Sequence, residues 1–248
     1  MAEGKIHQEV TSQKKSNFSK YRELYLGGMG LGRSVLFELI MLFFSNTPGA
    51  LGLALRKIFY PLVFKKVGRN VIFGKGITIR HPAKIEIGNS VVVEDNCVLD
   101  AKGEENRGIA IGNGVILSRN VVLSCKDGDI TIGNNTVVGI NSLIHALKGS
   151  NVTLGDDVLV SAYVYLIGGG NYNYSRPDVP IREQGLVSRG GINIGSNVWL
   201  GASANITDGV DIAPGNIIGA CSLVNKSIGK KDYISFGIPA KLKKSRTE

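Results

Sequence analysis

Few side chains of this protein can exchange a proton near neutral pH, and the histidines are the first to consider. Among its 248 residues there are three, His7, His81 and His145. His7 lies in a polar stretch near the amino terminus, His81 begins a His-Pro pair, and His145 directly follows Ile144 in an aliphatic stretch. These three imidazoles are the candidates for acid-base chemistry, and their places in the fold must decide between them.

The cysteines predict neither a disulfide framework nor a metal site. Cys97, Cys125 and Cys221 are odd in number, far apart, and without a Cys-x-x-Cys spacing. Structural zinc sites and disulfide-built domains both need closely spaced or paired cysteines. We therefore expect no metal cofactor and a reducing, cytoplasmic location.

The protein is strongly basic, with 29 Lys and Arg against 20 Asp and Glu and a net charge of +9. Such an excess favours anionic partners. Part of it is concentrated between Arg56 and Lys84, where eight basic residues occur without one acidic residue. No nucleic-acid-binding motif accompanies this basic block, so a nucleic-acid partner is not expected.

Residues 1–66 are predicted to form a tail followed by short helices. The first thirty residues are polar and punctuated by glycine, unlike the apolar core of a secretory signal. Two apolar stretches follow at residues 35–44 and 50–64, each interrupted by charge. Both are shorter than the roughly 18–20 apolar residues of a spanning helix. They either cap the end of the main domain or make a peripheral contact with an anionic membrane surface.

A repeat of six residues dominates the sequence from Val67 onward. Aliphatic residues recur at every sixth position in runs of three, with Phe73 as the one exception among these lead positions. The residue after the first lead of each run is glycine, except at Ala213. The lead positions are Val67, Phe73 and Ile79, then Ile87, Val93 and Leu99, then Ile111, Leu117 and Leu123, then Ile132, Val138 and Ile144, then Leu154, Val160 and Leu166, then Ile194, Leu200 and Ile206, and finally Ile212, Ile218 and Val224.

This period is too long for an α-helix, which repeats at about 3.6 residues, and for alternating strands, which repeat at about two. It fits one short strand and a corner. We therefore predict a mainly β protein, a parallel β-helix in which three strands form a coil and coils stack at about 4.8 Å. About seven coils would span residues 67–228, with a long loop at residues 168–191 after the fifth coil and a basic segment at residues 229–248.

The repeat resembles that of the hexapeptide-repeat family, whose members fold as left-handed parallel β-helices. Four later segments resemble parts of the sugar O-acetyltransferases of this family. The segment at residues 173–185 resembles the loop of polysaccharide and colanic-acid-type acetyltransferases, and the other three resemble the sugar O-acetyltransferase branch. These segments are NYSRPDVPIREQG (residues 173–185), IGSNVWLGASANI (residues 194–206), IGACSLVNK (residues 218–226) and GIPAK (residues 237–241). The resemblance implies an acyltransferase that uses acetyl-CoA or another acyl-CoA and forms a homotrimer with active sites between subunits.

The resemblance also implies a catalytic histidine just before the long loop, and this sequence has none there. Counting hexapeptide positions places the expected base at Asn171, and aligning the Tyr-Ser-x-Pro-Asp element places it at Tyr172. Neither side chain readily accepts a proton near pH 7. His145 is the alternative base, because the repeat places it one coil below Ile167 at the root of the loop. A structural role in a polar column with Arg80, Asp100 and Ser124 competes with that assignment.

By the same resemblance, the loop binds the acceptor sugar and the later coils bind the cofactor. The candidate acceptor residues are Arg176, Asp178 and Gln184, and Asp178 is also a candidate to orient a base. The candidate CoA residues are Trp199, Gly201, Ala202, Ala220, Lys226 and Lys241. Small residues are also required by tight coils, and the lysines are equally compatible with a solvated surface.

The expected function is acyl-CoA-dependent O-acylation of a sugar hydroxyl on a surface polysaccharide or a lipid-linked glycan precursor, by direct transfer in a ternary complex. Two alternatives remain open because the loop histidine is missing. One is N-acylation of an amino-sugar nucleotide, where the amine needs less help from a base. The other is a non-catalytic β-helix protein that serves as a binding or assembly module.

Overall fold

The computed structural model describes residues 16–247, so His7 lies outside the described residues. The described part begins with helices. Helix α1 spans Asn17–Tyr21 and continues into a π-helical turn, Arg22–Leu26. Helices α2 and α3 span Leu31–Phe44 and Gly49–Phe59, and a 3-10 turn, Tyr60–Leu62, follows. The two short helices expected from the apolar stretches are thereby confirmed.

The remainder is built from three parallel sheets, with the strands numbered along the chain. Sheet A contains β1 (Lys66–Val67), β4 (Ile85–Ile87), β7 (Ile109–Ile111), β10 (Ile130–Ile132), β13 (Val152–Leu154), β18 (Ile192–Ile194) and β21 (Val210–Ile212). Sheet B contains β2 (Ile72–Phe73), β5 (Val92–Val93), β8 (Ile116–Leu117), β11 (Val137–Val138), β14 (Leu159–Val160), β19 (Trp199–Leu200), β22 (Ile217–Ile218), β24 (Tyr233–Gly237) and the antiparallel β25 (Ala240–Ser245). Sheet C contains β3 (Thr78–Arg80), β6 (Val98–Asp100), β9 (Val122–Lys126), β12 (Leu143–Leu147), β15 (Tyr165–Gly168), β20 (Asn205–Thr207) and β23 (Leu223–Val224).

From β1 to β23, apart from the hairpin in the long loop, successive strands belong in turn to sheets A, B and C, which is the arrangement of a three-sided β-helix. The predicted lead residues all point inward and are buried, except the partly exposed Val67 in the first coil. The glycine column has a steric cause, because a Cβ on Gly68 would lie 2.5 Å from the carbonyl of Gly88 in the next coil. The predicted left-handed β-helix is confirmed, with an eighth coil begun by Ile228 and β24.

The helices close the open end of the first coil. Tyr60 and Phe64 pack against Phe73, with ring centroids 5.3 Å and 5.7 Å away. The buried Arg56 donates from Nε to the Phe73 carbonyl at 3.0 Å and from Nη1 to the Phe44 carbonyl at 3.0 Å. A cation near the last carbonyls of α2 is also favoured by the helix dipole. Capping of the β-helix core is therefore one function of these helices.

His81 joins the helical cap to the first coil through two hydrogen bonds. Its backbone N–H donates to the Tyr25 carbonyl at 2.8 Å, and its Nε2 lies 2.9 Å from the Glu23 carbonyl, which assigns the proton to Nε2. A Cβ on Gly27 would lie 2.4 Å from the His81 ring, so the turn needs glycine there. The imidazole is buried in the first coil, whereas the long loop leaves the β-helix after the fifth coil. The structure therefore excludes His81 as a base acting at that loop.

Because burial lowers the pKa of His81 below its ordinary value, we expect stability to fall on acidification. The unfolded chain takes up a proton below about pH 6.5, whereas the folded chain resists protonation at the buried, unpartnered Nδ1. Stability should therefore be full above that pH and decline below it. His81→Asn, which tolerates the left-handed backbone and keeps an amide donor for Glu23, should flatten this dependence. Urea unfolding midpoints at about pH 7.5 and about pH 5.5 measure it, and an equal decline in both proteins would contradict the assignment.

Candidate functional site

The long loop is a folded excursion at one edge of the β-helix. It leaves at the end of β15 in sheet C and returns at β18 in sheet A. Its two arms pair as an antiparallel hairpin of β16 (Asn171–Tyr172) and β17 (Leu186–Val187). A 3-10 turn, Ile181–Glu183, lies near the tip. The loop therefore lies at the corner where sheet C turns into sheet A, as its position in the repeat predicts.

Asp208 anchors both arms of the loop from the coil above. Its carboxylate is 4% exposed and accepts hydrogen bonds from three donors. These are Asn171 Nδ2 at 2.9 Å, the Arg189 N–H at 2.7 Å and the Gly191 N–H at 2.8 Å. No sequence pattern singles out this residue, because Asp208-Gly209 has the composition of an ordinary β-helix corner. Its hydrogen-bond partners are in the long loop and reach it only when the loop has folded.

The two residues at the expected position of the base have different surroundings. Asn171 donates its amide to Asp208 and so holds the hairpin rather than a reacting group. Tyr172, next to it in β16, is 38% exposed at the surface of the loop. An amide cannot take a proton from an alcohol at neutral pH, so Asn171 is a positioning residue in this structure.

Arg176, Asp178 and Gln184 form one connected cluster at the loop tip. The Arg176 guanidinium donates to Asp178 Oδ2 at 2.6 Å, and this pairing holds the pKa of Asp178 below its ordinary value. Gln184 Nε2 donates to the carbonyls of Arg176 at 2.7 Å and Val179 at 2.8 Å. Their predicted contact with a sugar stays a prediction. The cluster presents an exposed ion pair, a group that commonly binds hydroxyls.

His145 lies at the root of the loop, as predicted. In β12 it pairs with Ser124 of the coil below and Ile167 of the coil above. The polar column of Arg80, Asp100, Ser124 and His145 is also present, since β3, β6, β9 and β12 pair in that register. The ring is partly exposed. Among the described residues, His145 is the one imidazole near the loop.

Most of the predicted CoA residues meet at a second edge, the corner between sheets B and C. Ala202 and Ala220 are exposed at this corner in successive coils, and the Cys221 N–H donates to the Ala202 carbonyl at 2.8 Å. Gly201 is required by the stacking itself, because a Cβ there would lie 2.6 Å from the Ala220 nitrogen. Trp199 lies beside it, 48% exposed, and donates from Nε1 to Ser161 Oγ at 3.0 Å.

The carboxyl-terminal hairpin continues this edge upward and makes it basic. A Cβ on Gly219 would lie 2.7 Å from the Phe236 Cβ, so Phe236 sits directly above that corner. Lys241 pairs with Phe236 across β24 and β25, and the Lys243 ammonium lies 4.9 Å from the Phe236 ring centroid. Backbone groups, small side chains and ammonium groups therefore follow one another along a single edge, which suits a long anionic ligand.

Lys226 lies apart from the other predicted CoA residues. It follows β23 of sheet C and precedes the bridge between Ile228 and Ile212 of sheet A. It is therefore exposed at the same corner as the long loop, two coils above the point where the loop leaves. The repeat is consistent with this placement, because Lys226 follows the third lead residue of its coil, Val224, whereas Ala220 follows the second, Ile218.

The candidate residues thus form two groups at opposite margins of sheet C. The loop edge holds the hairpin, Asp208, His145 and Lys226. The cofactor edge holds Trp199, Gly201, Ala202, Ala220 and Lys241. In one subunit the width of sheet C separates the two groups. Across residues 16–247, no group of three or more His, Cys, Asp or Glu side chains is arranged to hold a metal ion.

Comparison with known proteins agrees with the fold and the repeat. No protein-family model matches the chain. It is 32% identical over 111 residues to WbbJ of Escherichia coli, named for lipopolysaccharide biosynthesis O-acetyl transfer, covering 42% of this chain and 56% of that protein. It is also 32% identical over 114 residues to galactoside O-acetyltransferase of Escherichia coli, covering 46% of this chain and 53% of that protein. The chain thus spans about half the length of the curated relatives it matches.

Solved structures share the architecture. A variant of AntD, an N-acyltransferase from Bacillus cereus, superimposes with a TM-score of 0.51 at 23% identity, over 73% of this chain and 84% of that one. That structure contains coenzyme A and dTDP-4-amino-4,6-dideoxyglucose. At this identity the likeness supports the fold alone. The chain therefore shares the left-handed β-helix fold of these acyltransferases, and over part of its length it is similar to sugar O-acetyltransferases.

Proposed function

We propose that the protein transfers an acyl group from acetyl-CoA or another acyl-CoA to a sugar hydroxyl of a surface polysaccharide or a lipid-linked glycan precursor. The observation that carries the proposal is the cofactor edge, where small side chains lead to a cluster of lysines. The folded loop at the other margin of sheet C supplies polar groups suited to a sugar. The similarity to named O-acetyltransferases supports the same reaction.

In this proposal the cofactor edge binds CoA, and the loop edge binds the acceptor and supplies the general base. Ala202 and Ala220 have side chains no larger than a methyl group, so backbone amides and carbonyls stay accessible to the arm of CoA. Lys241 and its neighbours in β25 would bind its phosphates. Acyl-CoA, when bound, supplies the acyl group as a thioester. His145 takes the proton of the attacking hydroxyl, the new C–O bond replaces the C–S bond, and that proton leaves with the thiol.

A complete site requires a second copy of the protein in this proposal. Because sheet C separates the loop edge from the cofactor edge within a subunit, the loop of one copy would face the cofactor edge of its neighbour. The outer surface of sheet B supports self-association as a homotrimer. Its in-register outward residues are apolar in every coil: Ile72, Val92, Ile116, Val137, Leu159, Trp199, Ile217 and Ile234. Outward positions of sheet A are mostly polar by contrast.

Release of free thiol from acetyl-CoA in the presence of candidate glycans tests the function. We expect binding to immobilised CoA and acceptor-dependent thiol release. Absence of both CoA binding and thiol release, with a panel of hydroxyl sugars and amino sugars, would refute the acyltransferase proposal. Binding of glycan without thiol release would instead support a non-catalytic module.

Substitution on the cofactor edge should abolish CoA binding without unfolding the protein. Ala220→Trp places a large ring on the exposed corner, and we expect CoA affinity to fall by about 100-fold or more, because the bound arm would have to be displaced. Ala110→Trp makes the same change on the exposed face of sheet A and serves as the control. Calorimetric titration with CoA measures both variants. Equal affinity of Ala220→Trp and the parent protein would move the cofactor site elsewhere.

One observation favours a second acceptor class. Asn171 and Tyr172 stand where a base is expected, and an amine nucleophile needs less assistance in losing its proton than an alcohol does. N-acylation of an amino-sugar nucleotide therefore remains the alternative. Thiol release with amino sugars but not with the matching hydroxyl sugars would select it.

A further inference from the structure

The helical cap has an outer face that its capping function does not explain. Helix α2 packs inward through Ser34, Phe37 and Ile40, at the spacing of one helix face. Its opposite face is apolar and exposed, with Leu42 75% and Phe43 61% accessible. We call this surface and its continuation the cap face. It consists of Leu31, Val35, Leu36, Leu39, Leu42 and Phe43 of α2 and of Leu51, Leu53, Ile58 and Leu62 in and after α3.

The charged side chains of α2 are bound to the rest of the protein. The Arg33 guanidinium donates to the carbonyls of Val63 at 3.1 Å and Phe64 at 2.9 Å. Glu38 accepts a hydrogen bond from the Tyr21 hydroxyl. Both residues remain exposed beside the cap face, with their charged groups held by these contacts, and the apolar side chains of α2 meet the solvent. Surfaces of this kind mark contacts with a partner or a membrane.

Helix α3 extends the cap face and fixes its orientation. The rings of Phe44 and Phe59 stack with centroids 4.5 Å apart, which holds α2 and α3 as one unit. Arg56 ties the same two helices to Phe73 of the first coil. Helices α2 and α3 therefore form one packed unit on the first coil, and that unit carries their exposed apolar side chains.

The residues around the cap face are basic. Lys57 adjoins Ile58 on α3 and is exposed. Lys66, Arg69 and Lys75 are exposed in the first coil, directly under the helices, while Lys65 pairs with Glu86 at 2.8 Å. An apolar face bordered by lysine and arginine is the composition of a helix that lies in the interface of an anionic bilayer.

We propose that the cap face is a docking surface for a bilayer containing anionic lipids, with the β-helix axis pointing away from it. In residues 16–247 no single helix has the length and apolarity to cross a membrane; Asn17–Leu26 and Leu31–Phe44 meet that criterion only as a pair bent by 77°. The proposed helices therefore lie in the interface. A second copy is the less suitable occupant, because the basic residues of two such faces would repel each other.

This proposal is independent of the acyl-transfer proposal and is tested with the full chain. We expect co-sedimentation with vesicles of phosphatidylcholine and phosphatidylglycerol, weaker binding to phosphatidylcholine alone, and weakening by salt. Leu42→Glu should lower the partition coefficient by about tenfold or more, because a carboxylate would enter the apolar interface. The control Leu242→Glu introduces the same change on an exposed leucine of β25, at the other end of the molecule.

Two outcomes would overturn the proposal. One is equal partitioning of Leu42→Glu and the parent protein. The other is absence of binding to both vesicle types together with a smaller assembly of Leu42→Glu in sedimentation velocity, which would assign the cap face to a protein contact. A thermal unfolding midpoint of Leu42→Glu equal to that of the parent protein shows that the fold is intact, without relying on acyl transfer.

Discussion

Asp208→Ala should lose most of the acyl transfer while retaining CoA binding. Removing the buried carboxylate leaves the N–H groups of Arg189 and Gly191 and the amide of Asn171 without their acceptor. A buried group left without a partner costs about 1–3 kcal/mol, and these three bonds hold both arms of the loop. We expect a loop displaced by even about 1 Å to lower turnover by about 100-fold. The cofactor edge lies across sheet C and should be unaffected.

The matched control is Asp211→Ala in the following strand. That carboxylate is exposed and accepts a hydrogen bond from Asn193 Nδ2 at 2.7 Å, a neighbour in sheet A rather than in the loop. Its loss should change turnover less than about twofold. Steady-state thiol release and calorimetric CoA titration give the two readouts. Normal turnover of Asp208→Ala would show that loop position does not limit the reaction.

His145→Ala should lower turnover by about 100-fold to 10,000-fold if the imidazole is the general base. CoA affinity should remain unchanged, since His145 is on the loop edge. The residual rate should also lose the acid limb of its pH profile, where protonation of the imidazole removes the base. A purely structural role in the polar column would instead reduce stability and leave the pH profile intact. Unchanged turnover would remove His145 from the mechanism without refuting the enzyme.

Mixing His145→Ala with Ala220→Trp distinguishes active sites within one subunit from active sites between two subunits. If the loop edge of one copy meets the cofactor edge of the next, random reassembly of the two inactive proteins restores about a quarter of the sites, because each site needs both intact edges. If each site lies within one subunit, no activity returns. Ala110→Trp mixed with His145→Ala controls for the reassembly step.

The sequence carried enough information to predict the β-helix. Residues such as Ile111, Leu117 and Leu123 recur at six-residue spacing, and each must point to the axis because the strand between two corners is only a few residues long. The position of the loop follows from the same count, since an insertion between Leu166 and Ile194 can leave only at a corner. The helical cap was also predictable, because an open coil exposes apolar residues that need cover.

The composition of the site was predictable only in part. Lys226 and Ala220 are six residues apart in sequence, and the fold places them at different corners, because one hexapeptide is one full side of the coil. Asn171 and Asp208 are 37 residues apart and touch only after the loop has folded over the sixth coil. No local pattern encodes that contact, since its two members belong to different repeats.

The six-residue period can be read without the structure, and it is sufficient to predict the fold because stacking of similar coils extends a local spacing along the whole β-helix. Only the folded chain shows that the buried Asp208 carboxylate holds the loop and that α2 turns Leu42 and Phe43 outward. These placements depend on hydrogen bonds and packing between segments that are distant in sequence, and such contacts form only when the coils have stacked.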